Sequence, residues 1–131
     1  MMNRVVIGVG SNIDPEKNIA KAKEILTSEQ KFIKSSQIIK TKPIGKKNQP
    51  DFLNCAFLID TDLSREEFNR YLKGIEKKLN RFKTKDKFGP RTIDLDIVVW
   101  NGEVVDEDFY KRDFLRSSVQ ELLPDLQIGI K

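Results

Sequence analysis

Gly89-Pro90-Arg91-Thr92-Ile93-Asp94-Leu95-Asp96-Ile97-Val98-Val99-Trp100 opens on a breaker pair, alternates apolar and acidic residues from Ile93, and then runs apolar. That pattern reads as a half-buried strand entering a core. Aspartate is depleted in strands, yet two stand here at i and i+2, on one face and roughly 6.5–7 Å apart along the chain. Carboxylates at that spacing repel each other unless a cation lies between them. All-oxygen ligation suits Mg²⁺, which completes its shell with water and substrate phosphates. Asp94 and Asp96 are therefore candidate metal ligands, and Arg91 just ahead of them is a candidate for phosphate oxygens. The bland alternative is an exposed strand face carrying two solvated aspartates.

Outward from this strand, the chain alternates elements as one domain over residues 1–131, without repeats or a linker. Before it lies the basic stretch Arg81–Arg91, with five cations in eleven residues. Before that, Ser64-Arg65-Glu66-Glu67 forms a capping box, and Phe68, Leu72, Ile75 and Leu79 trace the buried stripe of a helix. A strand runs from about Phe52 to Asp60, preceded by the breaker-rich loop Thr41–Pro50 and by a strand from Phe32 to Lys40. At the start, Arg4–Val9 reads as an apolar strand ending in a turn, Gly8-Val9-Gly10-Ser11-Asn12, where glycine eases a tight backbone. Asp14-Pro15 supplies an N-cap and a proline at the first helical position, and Ile19, Ala22 and Leu26 follow at helical spacing. A short helix around Phe114–Leu123 stops at Pro124. The order βαββαβ plus a terminal helix predicts an α+β, ferredoxin-like domain with a largely antiparallel sheet.

Composition bounds the chemistry. The net charge of +4, from 24 basic and 20 acidic residues, favours anionic ligands. With no histidine in the chain, histidine general-base chemistry and histidine-ligated zinc are excluded. The single cysteine, Cys55, excludes an intrachain disulfide, fits a reducing compartment and lies in an apolar run where a packed thiol is expected. No stretch approaches the length of a membrane span, and Met1-Met2-Asn3-Arg4 lacks a signal-peptide apolar core. A cytoplasmic monomer with no membrane partner is expected. Recognition of RNA on such a sheet would need exposed aromatics in the Lys/Arg-Gly-Phe-type pattern, which is absent; no nucleic-acid partner is expected.

Three further groupings bear on function. The basic stretch beside the aspartate pair suits a polyphosphate ligand; alternatively it is a solvated charge run. In a strand beginning at Phe52, Phe52 and Asn54 share a face. An aromatic ring beside an amide can stack on a flat heterocycle and pair with its edge, or serve as a core phenylalanine next to a structural asparagine. Phe114 falls off the Leu115, Val119, Leu122 stripe of its helix, as a second aromatic wall or as an ordinary helix-end contact.

Val6-Ile7-Gly8-Val9-Gly10-Ser11-Asn12, Gln49-Pro50-Asp51-Phe52-Leu53-Asn54, Ile75-Glu76 followed by Arg81, and Gly89-Pro90-Arg91-Thr92-Ile93-Asp94-Leu95-Asp96-Ile97 occur in that order. Together they resemble the 6-hydroxymethyl-7,8-dihydropterin pyrophosphokinases of folate biosynthesis, from about Arg4 to Glu103. The resemblance implies transfer of pyrophosphate from MgATP, as co-substrate, to the hydroxymethyl oxygen of the pterin, leaving AMP. By motif position it implies two Mg²⁺ ions on Asp94 and Asp96, with Arg81 and Arg91 gripping the polyphosphate as catalytic groups. Lys83, Phe88, Glu76, Ile97 and Arg112 fall in the implied ATP site. Phe52 and Phe114 would sandwich the pterin, with Asn54 and the segment Thr41, Lys42, Pro43 and Ile44 at its polar edge.

The chain departs from that pattern in three places. The family's Pro-His segment after the metal strand is missing. The stretch from Asn101 to Phe114 is short, so Arg112 and Phe114 match the family's Arg-x-Phe only across a gap. Lys42 stands where an apolar residue is usual. These departures leave a second reading, a catalytically weak or inactive descendant that binds pterin or nucleotide.

Overall fold

Alternating apolar residues at the start of the chain are paired on both edges, so the first strand becomes the centre of the sheet. The structure is a computed structural model and describes residues 2–43, 48–79 and 92–126. Its elements are β1 (Asn3–Ser11), α1 (Pro15–Glu29), β2 (Lys31–Ser35), β3 (Ile39–Thr41), β4 (Phe52–Thr61), α2 (Arg65–Lys78), β5 (Asp94–Trp100), β6 (Glu103–Val104), α3 (Asp108–Lys111) and α4 (Asp113–Leu122). The sheet order is β2-β4-β1-β5-β6, with β3 also on β4. Every pairing is antiparallel. The βαββαβ connectivity and α+β class expected from the sequence are both present.

Period-2 side-chain alternation sends β1 into two cores. Val5, Ile7 and Val9 meet Ile19, Ala22 and Leu26 of α1 and Phe68, Leu72 and Ile75 of α2. On the other face, Val6 packs with Ala56, Leu58, Val98 and Val99 beneath Phe109 of α3 and Leu115, Val119 and Leu122 of α4. Phe57, Phe68 and Phe109 are fully buried, and burial of a side chain of this kind contributes about 1.5–3 kcal/mol. The capping box of α2 is complete, with the Ser64 hydroxyl accepting from the Glu67 amide and the Glu67 carboxylate accepting from the Ser64 amide.

Three local expectations are corrected, the second of them in part. Gly8 to Ser11 is strand and not turn; both glycines lie in register, opposite Ala56 and Asn54 on one side and Asp96 and Asp94 on the other. Their value is the missing side chain. A Cβ on Gly8 would come 3.3 Å from both Leu115 and Val98. Asp14 holds the N-cap position of α1 and Pro15 follows at its start, as expected, but the Asp14 side chain makes no capping hydrogen bond: its backbone is left-handed, with φ 41°, and Asn18 Nδ2 donates to the Ile13 carbonyl at 2.6 Å.

The single strand expected over Phe32–Lys40 is broken into β2 and β3. Buried Ser36 makes the break: its amide donates to the Ala56 carbonyl at 2.9 Å and its hydroxyl accepts the Ala56 amide at 2.8 Å. The short stretch after β5, for which the sequence predicts no element, is folded. A turn with positive φ at Asn101 and Gly102 returns the chain as β6, and α3 follows.

Candidate active site

Where α4 stops covering the sheet, a cleft of about 550 Å³ opens over the ends of β1, β4 and β5. Its floor is flat because β1 contributes Gly8 and Gly10 there. A Cβ on Gly10 would sit 3.0 Å from Asn54 Oδ1, so only glycine leaves that amide its place. Asn54 Nδ2 donates to Thr41 Oγ1 at 2.6 Å, which pins the amide plane. Phe52 lies two residues before Asn54 on the same face of β4, and Phe114 projects from the first turn of α4; both line the cleft. The aromatic pair and the amide read from sequence thus line the same cleft.

The rim is tied down by motif residues of another kind. The Asn12 amide donates to Gln49 Oε1 at 2.8 Å and to the Pro50 carbonyl at 3.1 Å, joining the end of β1 to the entry of β4. Ser11 Oγ donates to the Thr92 carbonyl and ties β1 to the entry of β5. Thr41 and Lys42 line the cleft; Pro43 is half-buried and is not among the lining residues. Ile44 lies outside the described residues.

Asp94 and Asp96 stand opposite Gly10 and Gly8 and both face the cleft. The Asp96 side chain is 48% exposed. Crowding by protein strips water from it, and Asp94 adds like charge, so its pKa is pushed up to about 6 even though Lys73 pulls the other way. Asp106 is also raised, first by desolvation, with the amide of Asp108 opposing and the carboxylates of Asp108, Asp94 and Glu107 adding to the rise. The same cleft holds Lys42, Lys73, Lys111 and Arg112. It is therefore a site of mixed charge in which carboxylates cluster on the β5 side.

Glu76 is buried at 3% exposure. β6 pairs only with Val99 and Trp100, so the outer edge of β5 at Leu95 needs other partners. Glu76 Oε2 accepts the Leu95 amide at 2.7 Å and the Lys73 ammonium at 3.0 Å. Lys73 Nζ also donates to the Leu95 carbonyl at 2.9 Å and to Asp96 Oδ1 at 3.2 Å. Lys73 was missed in the sequence. The signal was its i,i+3 spacing to Glu76, which puts both on one side of α2.

Arg112 precedes α4 and lines the cleft, whereas Ile97 packs on the opposite face against the α1–α2 core. Arg81, Lys83, Phe88 and Arg91 lie outside the described residues. Among the described residues, no three acidic, histidine or cysteine side chains converge on one point. The pair Asp94 and Asp96 nonetheless fits Mg²⁺. These are hard oxygen donors, their mutual repulsion is relieved by a cation, and Mg²⁺ commonly takes one or two carboxylates and fills the rest of its shell with water and phosphate oxygens.

Comparison with known proteins points to one family. The family described as 7,8-dihydro-6-hydroxymethylpterin-pyrophosphokinase matches residues 6–124. The chain is 34% identical over 134 residues to a 2-amino-4-hydroxy-6-hydroxymethyldihydropteridine pyrophosphokinase of Aquifex aeolicus, covering 95% of this chain and 83% of the relative. The enzyme of the same name from Methylorubrum extorquens is 32% identical over 139 residues, covering 98% and 87%. The chain also matches the folic acid synthesis protein FOL1 of Dictyostelium discoideum at 31% identity, covering 94% of this chain but 20% of that much longer protein. With its sheet, its cleft and this match over nearly the whole length, the chain belongs to the 7,8-dihydro-6-hydroxymethylpterin-pyrophosphokinase family.

Proposed function

We infer that this protein is an ATP-dependent pyrophosphokinase that transfers pyrophosphate from ATP to 6-hydroxymethyl-7,8-dihydropterin in folate biosynthesis, releasing AMP. One observation carries the reading beyond family membership. Phe52, Asn54 and Phe114, suited to a flat heterocycle, line the same cleft as Asp94 and Asp96, suited to a metal-bound polyphosphate. A pterin stacked between the two rings would present its polar edge to Asn54, whose amide Thr41 already orients. The hydroxymethyl group would then point toward β5. Its oxygen bonds to the β-phosphorus of ATP, the bond from that phosphorus to the α,β-bridging oxygen breaks with its electrons left on AMP, and the hydroxyl proton passes to solvent.

The chain's own part is positioning and electrostatics, as in phosphoryl transfer generally. Asp94 and Asp96 would hold two Mg²⁺ ions. When bound, the ions supply charge neutralisation along the phosphates. Arg81 and Arg91 would grip the polyphosphate and stabilise charge developing on transfer. Lys83, Phe88 and Arg112 would bind the nucleotide, with Glu76 at its end of the site. The backbone from Thr41 to Ile44 would read the pterin's polar edge beside Asn54, with Thr41 and Lys42 at the cleft wall.

The test is AMP formation from ATP, Mg²⁺ and 6-hydroxymethyl-7,8-dihydropterin. Pterin-dependent AMP is expected, with Asp96→Ala lowering the rate by about 10²-fold or more, the scale of losing one electrostatic group at a transferring centre. Tight pterin binding without AMP would instead mark a binding protein on this scaffold.

A further inference from the structure

We propose that Lys73 is a positioning residue for Asp96, holding one carboxylate oxygen so that the other is presented to the divalent cation. The inference rests on the reading of Asp96 as a metal ligand and deepens it. An ammonium has three hydrogens to donate, and Lys73 has three acceptors: the Leu95 carbonyl at 2.9 Å, Glu76 Oε2 at 3.0 Å and Asp96 Oδ1 at 3.2 Å. Two of these three belong to a rigid frame. Leu95 is fully buried in the sheet, and Glu76, 3% exposed, is itself held by the Leu95 amide at 2.7 Å. Asp96 is the partner with freedom, its side chain 48% exposed at the cleft. The clamp therefore orders Asp96 and not the reverse.

Among the described residues, Asp96 Oδ2 makes no hydrogen bond. One oxygen is thus committed to the frame and the other is not, in a residue that lines the cleft. Partners that orient a metal-binding carboxylate typically change metal affinity by 10–100-fold when removed. The opposite effect is also physically available. An ammonium 3.2 Å from the carboxylate is a rival cation, and a mere counter-ion would weaken metal binding by neutralising its ligand. The two roles predict opposite signs.

The experiment measures Mn²⁺ binding by electron paramagnetic resonance, with and without a non-hydrolysable ATP analogue, in wild type, Lys73→Met, Lys73→Gln and Asp96→Ala. Lys73→Met keeps the apolar stem and removes every donor. It should weaken Mn²⁺ binding about tenfold, and raise the Mg²⁺ concentration for half-maximal AMP formation to match, with the pterin KM unchanged. Lys73→Gln keeps a neutral N–H donor and should fall between wild type and Lys73→Met. It also serves if Lys73→Met does not fold. Mn²⁺ bound as tightly as in wild type, or more tightly, in these variants would overturn the proposal while leaving pyrophosphate transfer intact. Unchanged Mn²⁺ binding in Asp96→Ala would overturn the reading of Asp96 beneath it, and the proposal with it.

Discussion

Gly10 shows how much a missing atom can do. Its backbone is ordinary extended strand, paired with Asn54 on one side and Asp94 on the other. An added Cβ would stand 3.0 Å from Asn54 Oδ1, and Asn54 cannot swing away without losing Thr41. Gly10→Ala is therefore expected to displace the amide proposed to read the pterin edge. One such polar contact is worth about 1 kcal/mol, so the pterin KM should rise about five- to tenfold. The thermal midpoint should stay within a few degrees of wild type, because the alanine enters a strand whose backbone it tolerates. Steady-state kinetics with varied pterin, beside a melting curve, check both halves. A large loss of stability would instead make Gly10 a packing residue.

At the scale of elements, the β5 edge is the feature that most constrains the site. A strand edge with unsatisfied N–H and C=O groups is costly when shielded from water. β6 is too short to cover Leu95, and α2 supplies Glu76 and Lys73 in its place. The same two side chains that complete the sheet thus set the position of Asp96. Glu76→Ala would leave the Leu95 amide and the Lys73 ammonium without that carboxylate. A buried donor left unmade costs about 1–3 kcal/mol, so Glu76→Ala should lower the urea midpoint by an equivalent of about 2 kcal/mol, beyond any effect on ATP. Chemical unfolding of the ligand-free protein measures it. An unchanged midpoint would confine Glu76 to ligand binding. The Ser36 break between β2 and β3 follows the same rule, with a buried hydroxyl standing in for ladder bonds.

For the whole molecule, the far end of the sheet offers a pH test that does not involve the cleft. Arg4 Nε donates to Asp60 Oδ1 at 2.9 Å and Nη2 donates to Oδ2 at 3.1 Å. That hydrogen bonding, with desolvation opposing and the charges of Arg4 and Lys31 assisting, holds the Asp60 carboxyl below its ordinary 3.8. A folded-state pKa below the unfolded one gives stability that is present above the unfolded value and is lost as pH falls through the folded one. The gap in thermal midpoint between wild type and Arg4→Met should therefore be constant near neutrality and close as pH drops below about 3.8. Melting curves across that range decide it; a gap that persists in acid would show that the arginine acts through packing and not through charge.

The apolar and acidic alternation of β5, the capping box and helical stripe of α2, and the motif order were all local in the chain. Local patterning is what strand and helix periods express, so the α+β class and the βαββαβ order were legible before any coordinates; Phe52 with Asn54 and Asp94 with Asp96 stood out as separate pairs, joined only by the family resemblance. The glycines were misread as a turn because their reason is spatial: the neighbours that exclude a side chain lie on β4, β5 and α4. Ser36 and the β6–α3 segment depend in the same way on partners many residues distant. Lys73 is the sharpest case. Its spacing to Glu76 is written in the helix, but Asp96 lies 23 residues away on the strand that Glu76 anchors. By itself, the sequence determined the elements and the residues able to do the chemistry, because both follow from near-neighbour spacing. Only the tertiary structure decided which side chains orient them, because strand pairing and helix docking bring together groups that no local period relates.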